Sequence, residues 1–310
     1  MIELIRPTAN IDFMGKRYVW IGLSIVAVFI TAGLFFTKGL NYGIDFTGGA
    51  EVQLRVPASW DIAQVRETLH QSSIEGLRVQ QIGDPSAHQF LIKAQGHEDS
   101  LNRVAQQIKE ALSKTLTPSD YEIQRTDVVG PAAGSSLRTS GFLSMFYALL
   151  CILIYVTVRF DSRYSPGAVI ALFHDTVVTL GIFIITQKQF DLQILAALLA
   201  LIGYSNNDTI IVFDRVRETV NLFPKLSIEK AVNKAINETL GRTILTSLCT
   251  FFTVFAMWLL GGEVIENFAF TLMVGIVVGA YSSIFIAGSL VIFVTEHWKN
   301  GKFSLTAHKH

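Results

Sequence analysis

The sequence predicts a polytopic α-helical membrane protein with one small α+β domain on the far side of the bilayer. Three observations lead there. Half of the 310 residues are hydrophobic and only 16% are charged, against roughly a quarter charged in an average soluble domain. Six apolar stretches reach the length of about 20 residues that a helix needs to cross the hydrocarbon. Lys and Arg gather in alternate short connections, which sets an orientation because positive residues stay on the cytoplasmic side.

Residues 1–17 form a cytoplasmic N-terminus with Arg6, Lys16 and Arg17. The first span, 18–36, is uncharged, too long for the apolar core of a signal peptide and followed by no A-x-A-like site, so it reads as a retained anchor. The other spans are 142–158, 166–185, 192–213, 243–260 and 268–294. Arg159 and Arg163 join the second to the third. Arg215, Arg217, Lys225, Lys230, Lys234 and Arg242 occupy the loop 214–242, and the tail 295–310 adds Lys299, Lys302 and Lys309. The opposite short connections hold Lys188 and the pair Glu263 and Glu266, so both termini are expected in the cytoplasm. Within 214–242, Ile228, Ala231, Val232, Ala235, Ile236 and Leu240 share one helical stripe behind a Ser227 N-cap. That stripe suits a helix along the membrane interface or one packed on its own bundle.

The segment 37–140 must form the far-side domain. "AEVQLRV" alternates like a strand, "SWDIAQVRETLHQ" has helical spacing with Ser59 as cap, and "LRVQQIG" and "HQFLIKAQ" are strands about a Gly83-Asp84-Pro85 turn. A second helix in "EDSLNRVAQQIKEALSKT" and a last strand in "YEIQRTDVVG" complete β-α-β-β-α-β, the ferredoxin-like order. That fold hosts many functions, and its open sheet favours protein contact over catalysis. His70, His88 and His97 lack metal-ligand spacing and read as surface residues. Cys151 and Cys249 fall far apart in apolar runs and read as small buried hydrophobes. No nucleophile elbow, P-loop or HExxH occurs, so no enzyme activity, metal or cofactor is expected. Zero net charge provides no overall field for nucleic acid.

Only the third and fourth spans contain charge. His174 and Asp175 lie about 13 Å into the third span at 1.5 Å per residue, near mid-depth. Asp208 stands about 8 Å inside the cytoplasmic edge of the fourth by the same rise, with Ser205 and Tyr204 a turn earlier on its face. Placing Asp at a span centre costs roughly 2.5 to 3.5 kcal/mol, so such a residue faces the bundle interior and has a partner. Arg242, at the start of the fifth span, is the candidate. Two readings stay open: a static Asp208–Arg242 pair that fixes packing, or a carboxyl that changes protonation as helices move. His174 and Asp175 leave the same choice between packing and an extended proton relay.

"GIDFTGG" (Gly43, Ile44, Asp45, Phe46, Thr47, Gly48, Gly49), "VGP" with Gly134, "LFHD", "GYSNNDTIIVFDRVRE" and "LGRTILTS", in this order and topology, resemble the SecF side of the SecD/SecF family of bacterial protein-export membrane proteins. The resemblance covers nearly the whole chain. It implies the membrane half of a resistance-nodulation-division-type transporter, a heterodimer with SecD, and work beside the SecYEG channel with YidC and YajC. Protons are the implied coupling ion, driving periplasmic motions that pull or release an emerging preprotein in the bacterial inner membrane. It also implies that Asp208 is the proton carboxylate with Arg242 across from it, with Asn207, Ser205, Asp175 and His174 on the pathway, and that "GIDFTGG" is a hinge-side signature. Asn206 stands where that family more often has an apolar or small residue. A proton-coupled small-molecule exporter of the same type and a passive scaffold are the alternatives.

Overall fold

The computed structural model describes residues 11–70, 74, 76–82, 85–94, 103–160 and 164–299. Arg6, Asp84, His97, Arg163, Lys302 and Lys309 fall outside these residues. Six helices among those described are long and apolar enough to cross a membrane. In chain order α1 is Arg17–Thr37, α2 is Ile44–Thr47, β1 is Gly49–Arg55, α3 is Ile62–His70, β2 is Arg78–Ile82 and β3 is Gln89–Ala94. Then come α4 (Val104–Leu112), β4 (Glu122–Val129), α5 (Pro131–Arg159), α6 (Ser165–Thr186), α7 (Leu192–Leu222), α8 (Ile228–Leu260) and α9 (Glu263–Ser282). A π-helical turn over Ser283–Ala287 leads into α10, Gly288–Lys299, so the sixth span is Ile265–His297 with a π turn inside it.

The strands form one antiparallel sheet in the order β2-β3-β1-β4, the arrangement that the β-α-β-β-α-β pattern requires. Val52, Leu54, Ile92, Phe90 and Val79 point to one face, where Val65 and Leu69 of α3 and Ile108 and Leu112 of α4 cover them. The first helix starts two residues later than Ser59 suggests. Asp61 Oδ1 accepts from the Gln64 amide (2.8 Å) and Gln64 Oε1 from the Asp61 amide (3.0 Å), a capping box that satisfies two amides at once. His70 is exposed, whereas His88 is half-buried with Nδ1 3.2 Å from the Trp60 carbonyl.

The spans divide into an inner and an outer set. The apolar windows of α6, α7 and the sixth span are 50% to 61% buried, while those of α1, α5 and α8 are 11% to 17% buried. Cys151 and Cys249 lie on exposed faces of the outer helices α5 and α8, not in the core. In a bilayer an apolar run satisfies its environment from either side, so hydrophobicity alone does not say which way a residue faces.

Two boundaries move. The second span begins at Pro131, whose missing N–H suits the first helical position, and so absorbs ten residues assigned above to the domain. The stripe behind Ser227 does not lie on the interface. Ser227 caps as expected, but the helix runs unbroken through Arg242 to Leu260, and Val232, Ala235, Ile236 and Leu240 pack with Phe213, Val216 and Ile286. Asn233 and Asn237 on that extension bind the backbone of Ile11 and Phe13, each at 2.8 Å through Oδ1. Arg215 joins α7 to it through Glu238 at 2.6 Å.

Candidate functional site: a polar layer between two apolar cores

Along α7 the buried residues run from Ile194, Leu198 and Leu201 in one cluster to Val212, Phe213 and Val216 in another, with Ser205 and Asp208 between. Asp175 sits likewise on α6 between Ala171 and Phe183 of those two clusters, and Ser282 ends α9 between Ile276, which packs in a further cluster, and Ile284 of the π turn. The polar residues thus form one layer across the three inner spans. Each of the two apolar clusters closes that layer on one side.

Asp175 is the centre of this layer. It is 1% exposed, and its Oδ2 accepts from Ser205 Oγ of α7 (2.7 Å) and Ser282 Oγ of α9 (2.8 Å). Its Oδ1 lies 3.1 Å from His174 Nδ1. One carboxyl therefore joins three helices, with the imidazole able to give or take a proton on its other oxygen. Gly279 is what lets α9 come this close: a Cβ there would lie 2.9 Å from Ser205 Oγ and 3.7 Å from Asp175 Oδ2. The π turn starts next to Ser282, and its first residue, Ser283, shares a hydrogen bond with Thr209 of α7 (3.0 Å). Such turns re-aim side chains within a helix and are frequent at functional sites. Ser24 of α1 extends the layer outward through Tyr281 (3.0 Å), whose ring centre is 6.1 Å from that of His174.

Asp208 has a poorer setting. It is 2% exposed, yet the only side-chain hydrogen bond it receives among the described residues is from Ser247 Oγ of α8, at 3.3 Å. Arg242 forms no ion pair with it and is exposed. Five residues before Ser247, it sits about 140° away around the helix at 100° per residue. Asn207 is exposed as well, and Ser205 serves Asp175 rather than Asp208. Asn206 keeps a buried Oδ1 with no partner among the described residues, as does the Thr243 hydroxyl. Thr239, Thr243 and Ser247 recur every four residues, and all three are buried. This file of hydroxyls runs along α8 up to Asp208. Its four-residue spacing is visible in "ETLGRTILTS", although hydroxyls alone gave no signal of a site.

The signature loop lies at the opposite end of α7. Ile44–Thr47 is a single helical turn, closed by Gly48 at φ +79, a left-handed conformation in which other residues are strained. Gly48 also lies against Pro131, where a Cβ would be 2.7 Å from the Pro131 Cα. Phe46 is buried, with its ring stacked 5.6 Å from that of Phe190. Asp45 Oδ2 accepts from the Leu192 amide (3.1 Å). Beside it Asp191 caps α7 through the Ile194 amide (3.0 Å). Burial pushes the Asp191 carboxyl up, and nearby Asp45 adds to the rise, against the lowering effect of the Ile194 amide and Lys93. Lys188 crosses to Glu266 at 2.8 Å, a tie between the α6–α7 connection and the start of α9.

Comparison with known proteins shows the family. The family profile described as "Protein export membrane protein SecD/SecF, C-terminal" matches residues 107–297, and the "SecD/SecF GG Motif" matches residues 33–56. The chain belongs to the SecD/SecF family. It is 44% identical to the protein translocase subunit SecF of Calditerrivibrio nitroreducens over 94% of this chain and 97% of that one. With the SecF of Magnetococcus marinus it shares 38% over 94% of each chain. The crystal structure of SecDF, a translocon-associated membrane protein from Thermus thermophilus, superposes with a TM-score of 0.79 at 32% identity over 95% of this chain. A SecDF structure in a super-membrane-facing form gives 0.72 at 33% identity over 94%. This chain spans 39% and 40% of those two SecDF chains, so SecDF carries more than half its length beyond the matched part. The GG-motif match covers the loop that holds α7, and the longer match contains Asp175, Asp208 and Arg242.

Proposed function

We propose that this SecD/SecF-family protein is an auxiliary subunit of the bacterial protein-export machinery that couples proton flow through its intramembrane charges to motions of its periplasmic domain. It lies in the inner membrane with both termini in the cytoplasm, and works with a SecD-type chain beside the SecYEG channel, with YidC and YajC as further partners. The relatives named translocase subunit SecF and the SecDF likeness support the export role.

The observation that carries the proton reading is the contrast in how Asp208 is held. A buried carboxyl with one bond of 3.3 Å is free to exchange a proton at little structural cost. The Thr239–Thr243–Ser247 file gives that proton a polar route from the cytoplasmic end of α8. Asp175, Ser205 and His174 continue the layer across the inner spans. One proton moving down a potential of 100 mV releases about 2.3 kcal/mol, enough to shift a conformational equilibrium of a few kcal/mol. Arg242 and Asn207, exposed on the bundle surface, would complete the site against the partner chain. Arg242 then meets Asp208 in another conformational state or acts on the partner's own charges.

The test is maturation of secreted proteins in cells lacking the native protein and supplied with Asp208→Asn or Arg242→Ala. Export is expected to fall for both, at normal protein levels. Full maturation in both strains would remove proton coupling and leave a passive scaffold. Purification from native membranes is expected to bring down a SecD-type chain, whereas a homodimer alone would point to a self-sufficient exporter.

A further inference from the structure

Helix α7 carries Ser205 and Asp208, and what holds its other end decides what its movement can drive. The first turn of a helix exposes amides that need acceptors, and the residue just before the helix is the usual source. Asp191 fills that role, with Oδ1 on the Ile194 amide. A second carboxyl is nevertheless brought in from 147 positions away: Asp45 Oδ2 takes the Leu192 amide at 3.1 Å. Two acidic groups side by side repel, so the pairing is not explained by capping alone. Both do sit at the positive end of the α7 dipole, which favours them there.

The contacts around Asp45 make a continuous fastening. The Gly43 amide donates to the Phe190 carbonyl at 2.7 Å, and the Phe190 amide to the Asn41 carbonyl at 2.8 Å. Tyr42 and Phe190 thereby form a parallel β-bridge, and Phe46 stacks on the Phe190 ring. From Asp45 the chain reaches Gly49, the first residue of β1, in four steps, and β1 lies in the interior of the sheet between β3 and β4. Lys93 of β3 adds a second tie, donating to Gln189 Oε1 at 3.2 Å while 3.4 Å from Glu51. On the other flank Gly39, at φ +67, separates α1 from this fastening.

We propose that Asp45 is a positioning residue that fastens the central strand of the periplasmic domain to the start of α7, so that the domain follows this helix rather than α1. The proposal rests on the proton-coupled reading of Asp208. Asp208 lies 17 residues beyond Asp191, about 26 Å along the helix at 1.5 Å per residue. A rigid helix delivers a tilt or slide over that distance to the domain without an intermediate wire.

The experiment uses the full chain in complex with its SecD-type partner, reconstituted in vesicles. Cys151 and Cys249 are replaced by Ser, and spin labels are placed through Glu67→Cys on α3 and Leu260→Cys on α8, both exposed positions. The distance distribution is compared with and without Asp208→Asn. With Asp45 intact, Asp208→Asn is expected to shift the distribution. With Asp45→Ala the shift is lost, and with Asp45→Asn, whose amide oxygen still accepts, it returns. An equal shift with Asp45→Ala would overturn the fastening while leaving the proton reading in place. No shift even with Asp45 intact would sink the proton reading itself, and the proposal with it. If Asp45→Ala does not assemble, Asp45→Glu serves instead: it lengthens the side chain by one methylene and is expected to shrink the shift, an undiminished shift again being fatal.

Discussion

Asp175 and Asp208 are buried to the same degree, at 1% and 2% exposure, in one polar layer of one bundle. Asp175 has three side-chain partners from three helices, at 2.7, 2.8 and 3.1 Å. Asp208 has one, at 3.3 Å from Ser247, and one turn before that donor on α8 the Thr243 hydroxyl has no partner among the described residues. The chain completes the first site by itself and leaves the second incomplete. A fully paired buried carboxyl fixes helices against one another, whereas a sparsely paired one can change its charge or accept a new partner. The difference predicts which residues hold the bundle together and which serve transport.

The largest effect on stability is expected at the complete site. Asp175→Ala strands the Ser205 hydroxyl and the His174 imidazole in a buried layer and leaves Ser282 Oγ only the Gly279 carbonyl, and removing one member of such a network typically costs about 3 to 5 kcal/mol. The purified protein should melt well below the parent in detergent, and less should accumulate in membranes. Asp175→Asn keeps an acceptor and should lose less, about 1 to 3 kcal/mol. A melting temperature unchanged by Asp175→Ala would erase the contrast between the two carboxyls. Gly279→Ala comes next, because its Cβ would press on Ser205 Oγ just where that hydroxyl is committed to Asp175. Overpacking of this kind costs about 1 to 3 kcal/mol, read from the same melting curves.

How much of this was legible in the sequence follows the range of the interaction. The six spans and the β-α-β-β-α-β order depend on local apolar pattern and turn residues, and both are found. The helical stripe behind Ser227 was also visible, but whether it bends at Arg242 depends on what it packs against. With no proline to stop it and Phe213 and Ile286 to cover it, α8 runs straight through. Ser205 is an i, i+3 neighbour of Asp208 in the sequence. Its bond goes to Asp175, 30 residues away on another span. Arg242, the candidate partner of Asp208 from its place at the start of a span, acts on that carboxyl electrostatically without an ion pair, because its angle around α8 depends on the rotation of that helix. Sequence therefore tells which charges lie within the spans better than it tells what they touch.

At the incomplete site the expected stability effect is small and the effect on transport large. Asp208→Asn retains an acceptor for Ser247, so stability read from the melting curve should change by less than about 1 kcal/mol. Maturation of exported proteins should nonetheless fall. The reverse pattern, a destabilised protein with full export, would place Asp208 with Asp175 as a packing residue.

The smallest effect on the chain alone is expected at Gly203, one turn before Asn207 on the exposed face of α7. A Cβ there meets nothing within 4 Å, so a larger side chain has room. Gly is among the weakest helix formers, about 0.8 to 1 kcal/mol less favourable than Ala, so Gly203→Leu should leave the purified chain as stable as the parent or slightly more so. Small residues on an outer membrane-helix face allow another helix to approach closely. If this strip is where a partner chain completes the Asp208 site, Gly203→Leu should reduce recovery of the SecD-type chain on purification, while Leu259→Ala, on an exposed face of α8 near its far end, should not. Undiminished recovery with Gly203→Leu would mean that the strip faces lipid, and the missing partners of Asp208 would then have to come from a rearrangement within this chain.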